Sequence, residues 1–206
     1  MKKVVISQTE LEATKTLVNS LWDALKPFAT SPEQLPSALD KYMEKALEKW
    51  TADHGASEEA LEAFDHPPTK DQIEVLAESG TNAQNEDDLE SASSHYRKAL
   101  ALVPTPFFRY AHDASWLLIA LADVFREAEQ FDVARSAMQL AFYCHGVVEN
   151  SYAHFLYGQI CFLMGDKERA EYELTIAYEM DRSLFDDEHD LLALVKKCIK
   201  LRRVRR

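Results

Sequence analysis

The sequence predicts an all-α fold of stacked helix pairs, and three observations predict it. Among 206 residues only 5 are glycine and 7 proline, while 47% are hydrophobic. That mixture is too apolar for a disordered chain and too poor in turn residues for a β-sandwich. Apolar side chains recur at helical rather than strand spacing, as in Leu17, Val18, Leu21, Trp22 and Leu25. Finally, one pattern of small and large residues occurs three times in the second two-thirds of the chain.

The first 66 residues hold two or three amphipathic helices with recognisable starts. Ser7-Gln8-Thr9-Glu10 reads as a capping box, in which Ser7 accepts the amide three residues on and Glu10 reaches back. The stripe that follows stops at Lys26-Pro27. Ser31-Pro32 opens a second helix, with a cap followed by proline at the first helical position. Its stripe is Leu35, Leu39, Tyr42, Met43, Ala46, Leu47 and Trp50, ending near His54-Gly55. Ser57-Glu58-Glu59-Ala60 starts a short third helix carrying Leu61 and Phe64. Consecutive prolines in His66-Pro67-Pro68 then set a boundary between an N-terminal region, 1–66, and a repeat domain, 71–206.

From residue 71 the chain repeats itself. Three segments align on a small residue, a large one four further on and an alanine three after that: Ala92, Tyr96, Ala99; Ala134, Met138, Ala141; Ala170, Leu174, Ala177. Twelve residues before each first alanine stands another small residue, Gly80, Ala122 or Gly158. Small residues at both places let two helices approach closely, and the large residue fills the space beside them. Polar turns separate the two helices of each unit: Asn85-Glu86-Asp87-Asp88, Glu127-Ala128-Glu129-Gln130 and Met164-Gly165-Asp166-Lys167. The units start near 73, 115 and 151, and the longer first spacing falls at Pro104-Thr105-Pro106-Phe107-Phe108.

This pattern resembles the tetratricopeptide repeat, whose unit is about 34 residues. The resemblance implies an all-α, tetratricopeptide-like α-solenoid of about three helix pairs, with repeats near 73–106, 115–148 and 151–184. In that family the first helix of each unit lines a concave groove. The matching positions are Glu74, Ala77, Thr81, Gln84 and Asn85 in the first repeat. In the second they are Trp116, Ile119, Asp123, Arg126 and Glu127, and in the third Tyr152, Phe155, Gln159, Phe162 and Leu163. The last two sets, Leu163 aside, are the candidate partner-binding residues. Trp116, Tyr152, Phe155 and Phe162 are its aromatic anchors, and Asp123 and Glu127 share the Trp116 face to meet basic groups. The third set is apolar enough to need a cover, either a partner or the chain's own terminal helices.

After the repeats, an acidic start at Asp186-Asp187-Glu188, a leucine-rich stripe and a basic end suit a capping helix near 187–202, matched to the helix dipole at both ends. The last eleven residues carry seven positive charges, which leaves −19 on the rest of a chain whose net charge is −12. So acidic a body excludes nucleic-acid binding through its surface. No run of about 18 apolar residues suggests a membrane span, and the apolar stretch after Lys2-Lys3 is too short for a secretory signal. Three widely spaced cysteines, Cys144, Cys161 and Cys198, form no disulfide framework, which points to a reduced, cytoplasmic protein.

Catalytic signatures are lacking: there is no nucleophile elbow, zinc-protease motif, phosphate loop or dinucleotide fingerprint. Cys144, His145 and His154 fall short of a zinc ligand set in number and spacing. The expectation is therefore a non-enzyme without cofactor or metal, a module that holds another polypeptide with a basic face. The segment from Ala92 to Leu194 is also similar to bacterial tetratricopeptide proteins found beside polymorphic toxins, in its break at Pro104, its Trp116 helix and its Phe185-Asp186-Asp187 turn. That resemblance implies an immunity protein that blocks a cognate toxin. The alternatives are a type III secretion-type chaperone for an exported protein, and a regulator or enzyme using Cys144 and the histidines.

Overall fold

A computed structural model describes residues 5–28, 35–65, 69–144 and 146–204, and among them the regular structure is entirely helical. The N-terminal helices are α1 (Gln8–Leu25), α2 (Leu35–His54) and α3 (Glu58–Asp65). Three helix pairs follow: α4 (Lys70–Asn85) with α5 (Leu89–Ala101), α6 (Ala111–Glu127) with α7 (Phe131–Ala141), and α8 (Ser151–Leu163) with α9 (Lys167–Met180). Helix α10 (His189–Val204) closes the chain. The expected starts at Ser31-Pro32 and the break at His66-Pro67-Pro68 lie outside the described residues.

Each pair is held at the contacts the repeat pattern predicts. Ala92, Ala134 and Ala170 are fully buried, as are Met138 and Leu174, with Tyr96 nearly so. A Cβ placed on Gly80 would stand 2.7 Å from the Tyr96 ring, and one on Gly158 would stand 2.6 Å from Leu174 Cγ. Glycine is required at both because the partner helix occupies the space of a methyl group.

The three hairpin turns also share one backbone geometry. Asp87, Glu129 and Gly165, at equivalent positions, all have positive φ (61°, 58° and 80°). In each turn the next amide bonds a carbonyl five residues back: Asp88 to Ala83, Gln130 to Phe125 and Asp166 to Cys161, at 2.8 to 2.9 Å. This left-handed cap satisfies carbonyls that the helix end leaves free. Asp88 and Asp166 then cap the second helix, each accepting an amide three residues on, from Ser91 at 3.0 Å and Arg169 at 3.2 Å.

Helix α1 lies across α5 and α7, the second helices of pairs one and two. The Trp22 indole N–H donates to Ser136 Oγ at 2.9 Å, and its ring meets Tyr143 edge-on at 5.6 Å. Ser7 does accept the Glu10 amide, at 3.2 Å. The second half of the expected capping box is different. The Ser7 amide and hydroxyl donate to Glu90 of α5, while the Glu10 carboxylate turns to Arg97 and accepts two bonds at 2.7 and 2.9 Å. A bidentate guanidinium outcompetes a backbone amide for the carboxylate, and another acid takes over the amide.

The extra length before α6 explains how the rest of the N-terminal region docks. Phe107, Phe108 and Tyr110 are buried in a single 3₁₀ turn, Phe107–Tyr110, next to a cis Thr105–Pro106 bond. Phe108 packs edge-on against Phe28 at 5.0 Å and Tyr42 at 5.5 Å. The α2 stripe is only partly used: Leu35 and Leu39 are buried, Tyr42, Met43, Ala46 and Trp50 half-buried, and Leu47 exposed. That helix packs against α3 and the Lys26–Phe28 turn rather than along a repeat helix, so its C-terminal half lacks a broad apolar neighbour. Leu11, Leu35 and Leu39 belong to the same buried cluster as Leu117, Met138 and Val195. No helix among the described residues is long and apolar enough to cross a membrane.

Candidate binding groove

The first helices α4, α6 and α8 are neighbours, and one carboxylate joins them. Asp123 on α6 accepts from Gln84 Nε2 of α4 at 3.1 Å and from the Tyr152 hydroxyl of α8 at 3.3 Å. Arg126, one turn along, donates to its other oxygen through Nε at 2.9 Å and Nη2 at 2.6 Å. Four donors fill the capacity of a carboxylate. Asp123 is therefore a structural knot across three repeats, and its bonds are spent inside the protein. The sequence reading offered it to a partner's basic group, a role that would need this knot to open.

Glu127 remains the more available acid. It is exposed, 3.3 Å from Arg126. Partial burial and then the Asp123 charge beside it raise its pKa, so a partner cation placed there would relieve an existing repulsion. Burial, reinforced by Asp123, also pushes the Tyr152 phenol up to about 12, which keeps it a neutral donor. Arg126 stays firmly charged: burial opposes this, but Asp123 and Glu127 outweigh it.

Around this polar floor the aromatic candidates divide. Trp116 is 46% exposed, Tyr152 40%, Phe162 40% and the adjoining Leu163 52%. Trp116 stands edge-on to Tyr96 at 6.1 Å, and the Tyr96 hydroxyl is bonded to Thr81 at 3.0 Å. Ile119 and Phe155, by contrast, are buried. Phe155 packs at 5.0 Å against the fully buried Phe185 of the closing segment, and Gln159 donates to Glu188 at 3.1 Å. The C-terminal turn thus covers one part of the apolar third repeat, while Tyr152, Phe162 and Leu163 are partly exposed. Helix α1 plays no part in that cover, since it lies on the second helices.

His145 lies outside the described residues, and Cys144 and Cys161 are buried. Among the described residues no group of three His, Cys, Asp or Glu side chains is placed to hold a metal ion. His154 is instead buried between the Glu173 carboxylate, 2.5 Å from Nδ1, and the Val148 carbonyl, 3.0 Å from Nε2. Arg169 completes the cluster, 2.7 Å from the other Glu173 oxygen. The sequence gives no signal for this pairing beyond a glutamate one residue before a core leucine. No family model matches the chain, and no curated protein sequence matches it.

Proposed function

We propose that the protein is a non-catalytic helical-repeat module of the tetratricopeptide type, which holds a segment of another polypeptide against α4, α6 and α8. The observation that carries this reading is the exposure of Trp116, Tyr152 and Phe162 on first helices whose polar floor is already fixed by the Asp123 knot. Exposed aromatics on a rigid support lose little entropy on binding and bury large areas. Glu127 and the net charge of −12 favour a partner with a basic face. A cognate toxin encoded beside this chain is the first partner to test, and an exported protein that needs a chaperone is the second.

The test pairs two measurements on each of three variants. Trp116→Ala and Phe162→Ala should leave the melting midpoint near that of the parent and weaken the partner by about 2 kcal/mol each, roughly thirtyfold. Phe155→Ala should lower stability by about 3–5 kcal/mol, because its ring is core. Undiminished partner binding by both groove variants would refute the groove.

A further inference from the structure

A cleft of about 510 Å³ lies between α2 and the Phe107–Tyr110 turn. Its charge contradicts that of the chain. Lys45 and Lys49 line it from successive turns of α2, Arg109 lines it from the 3₁₀ turn, and Asp53 is the one acid among its lining residues. Neither lysine is ion-paired among the described residues. Like charges four residues apart on a helix disfavour it slightly, and Asp53, four residues beyond Lys49, offsets part of that repulsion.

Arg109 supplies the directional element. Its guanidinium carbon stands 4.5 Å from the centre of the Phe64 ring, 5.3 Å from Trp50 and 5.3 Å from Tyr110. Ring faces, not a carboxylate, therefore hold it in place. Its Nε is buried and has no hydrogen-bond partner among the described residues. With Nε buried, the terminal N–H groups of this ring-held guanidinium are the ones left for an incoming anion, and Arg is the side chain best shaped for phosphate oxygens.

We propose that this cleft binds a small phosphorylated molecule. Three cations and one acid leave a charge of +2, which complements a phosphoryl group that carries about −1.5 to −2 at neutral pH. The volume exceeds that of a bare phosphate and falls in the range of small-molecule sites, roughly 300–1,000 Å³. Tyr42 and Ala46 furnish an apolar wall for the carbon skeleton of an ester.

Calorimetric titration of the full chain with glycerol 3-phosphate, inorganic phosphate and a phosphoserine peptide tests the site. Glycerol 3-phosphate should bind saturably. Lys45→Ala and Lys49→Ala should each weaken it about tenfold while melting stays unmoved, since both side chains are exposed. Trp116→Ala, in the separate groove, should leave this binding unchanged, so the two sites fail independently. Absence of saturable binding overturns the proposal, as does affinity undiminished in the double lysine variant. Binding of the phosphoserine peptide alone overturns the small-molecule source and assigns the cleft to a modified protein.

Discussion

A single methyl group added at Gly158 probes the helix-pair geometry most sharply. On an open helix, alanine in place of glycine stabilises by about 1 kcal/mol, because the unfolded chain loses freedom and the helix gains a good former. At this position the new Cβ would stand 2.6 Å from Leu174 Cγ, 2.8 Å from Cδ2 and 3.1 Å from the Leu174 backbone nitrogen. Leu174 is fully buried, so its branched end has nowhere to swing, and the nearby backbone cannot yield cheaply. Overpacking of this kind costs about 1–3 kcal/mol, and such short contacts belong in the upper half of that range. The net expectation is a loss of about 1–2 kcal/mol in urea unfolding. Leu174→Ala alone should cost about 2–5 kcal/mol through the cavity it leaves. In the double variant the methyl at 158 occupies part of that cavity, so the combined loss should fall at least ~1 kcal/mol short of additivity. A stabilised Gly158→Ala, or a strictly additive pair, would refute close packing of α8 on α9.

The buried histidine makes stability depend on pH. Acceptors on both ring nitrogens require His154 to donate from both, as an imidazolium. Burial pulls its pKa down, but Glu173 and the Val148 carbonyl outweigh burial and hold it above the usual 6.5. A raised folded-state pKa gives stability that is complete below 6.5 and lost as pH climbs through the folded value. Urea midpoints should therefore fall on the alkaline side of 6.5, and Glu173→Gln should cost about 3–5 kcal/mol and flatten that fall. A parent profile already flat across this range contradicts the pairing. Burial pushes the Cys144 thiol up to about 12; burial, and then the charge of Asp166, push Cys161 up to about 11. Because the thiolate is the reactive form, iodoacetamide should label both only as fast as the protein unfolds. Rapid native labelling of Cys144 would favour the redox or nucleophilic reading of that residue.

The repeat register was legible because it rests on pairs whose sizes must match. A glycine with a large residue sixteen positions on, as in Gly80–Tyr96 and Gly158–Leu174, announces a close helix contact from residue size and spacing. What a residue faces was less legible. Ile119 and Phe155 have the periodicity of groove positions, yet they are core, because periodicity does not reveal that Phe185 returns from thirty residues away to cover Phe155. Glu10 fits the capping box perfectly in sequence, and only the arrival of Arg97 from 87 residues away redirects it. Of the three left-handed turn residues, Gly165 is readable, but Asp87 and Glu129 adopt the same φ without glycine's signature. The surrounding hairpin imposes that conformation on them.

These long-range contacts share a cause that bears on function. The terminal elements act where the repeat pattern is silent: α1 dresses the second helices α5 and α7, the Phe107–Tyr110 insertion packs on α6 and against Phe28 and Tyr42, and Phe185 with α10 dresses the end of the third pair. Stability is thus drawn from the outer and terminal surfaces, while the exposed aromatics of α6 and α8 stay uncovered by α1. Had Asp123 been free, its charge would have been the strongest attractor in the groove. Bound by Gln84, Arg126 and Tyr152, it holds α4, α6 and α8 in register before any partner arrives. Preorganisation of that kind reduces the ordering cost of association, so affinity in the proposed complex would depend on how well a partner fits the fixed spacing of Trp116, Tyr152 and Phe162. In the proposed complex, charge recognition would pass to Glu127 at the rim, where it would govern the encounter rate and its salt dependence more than the residence time.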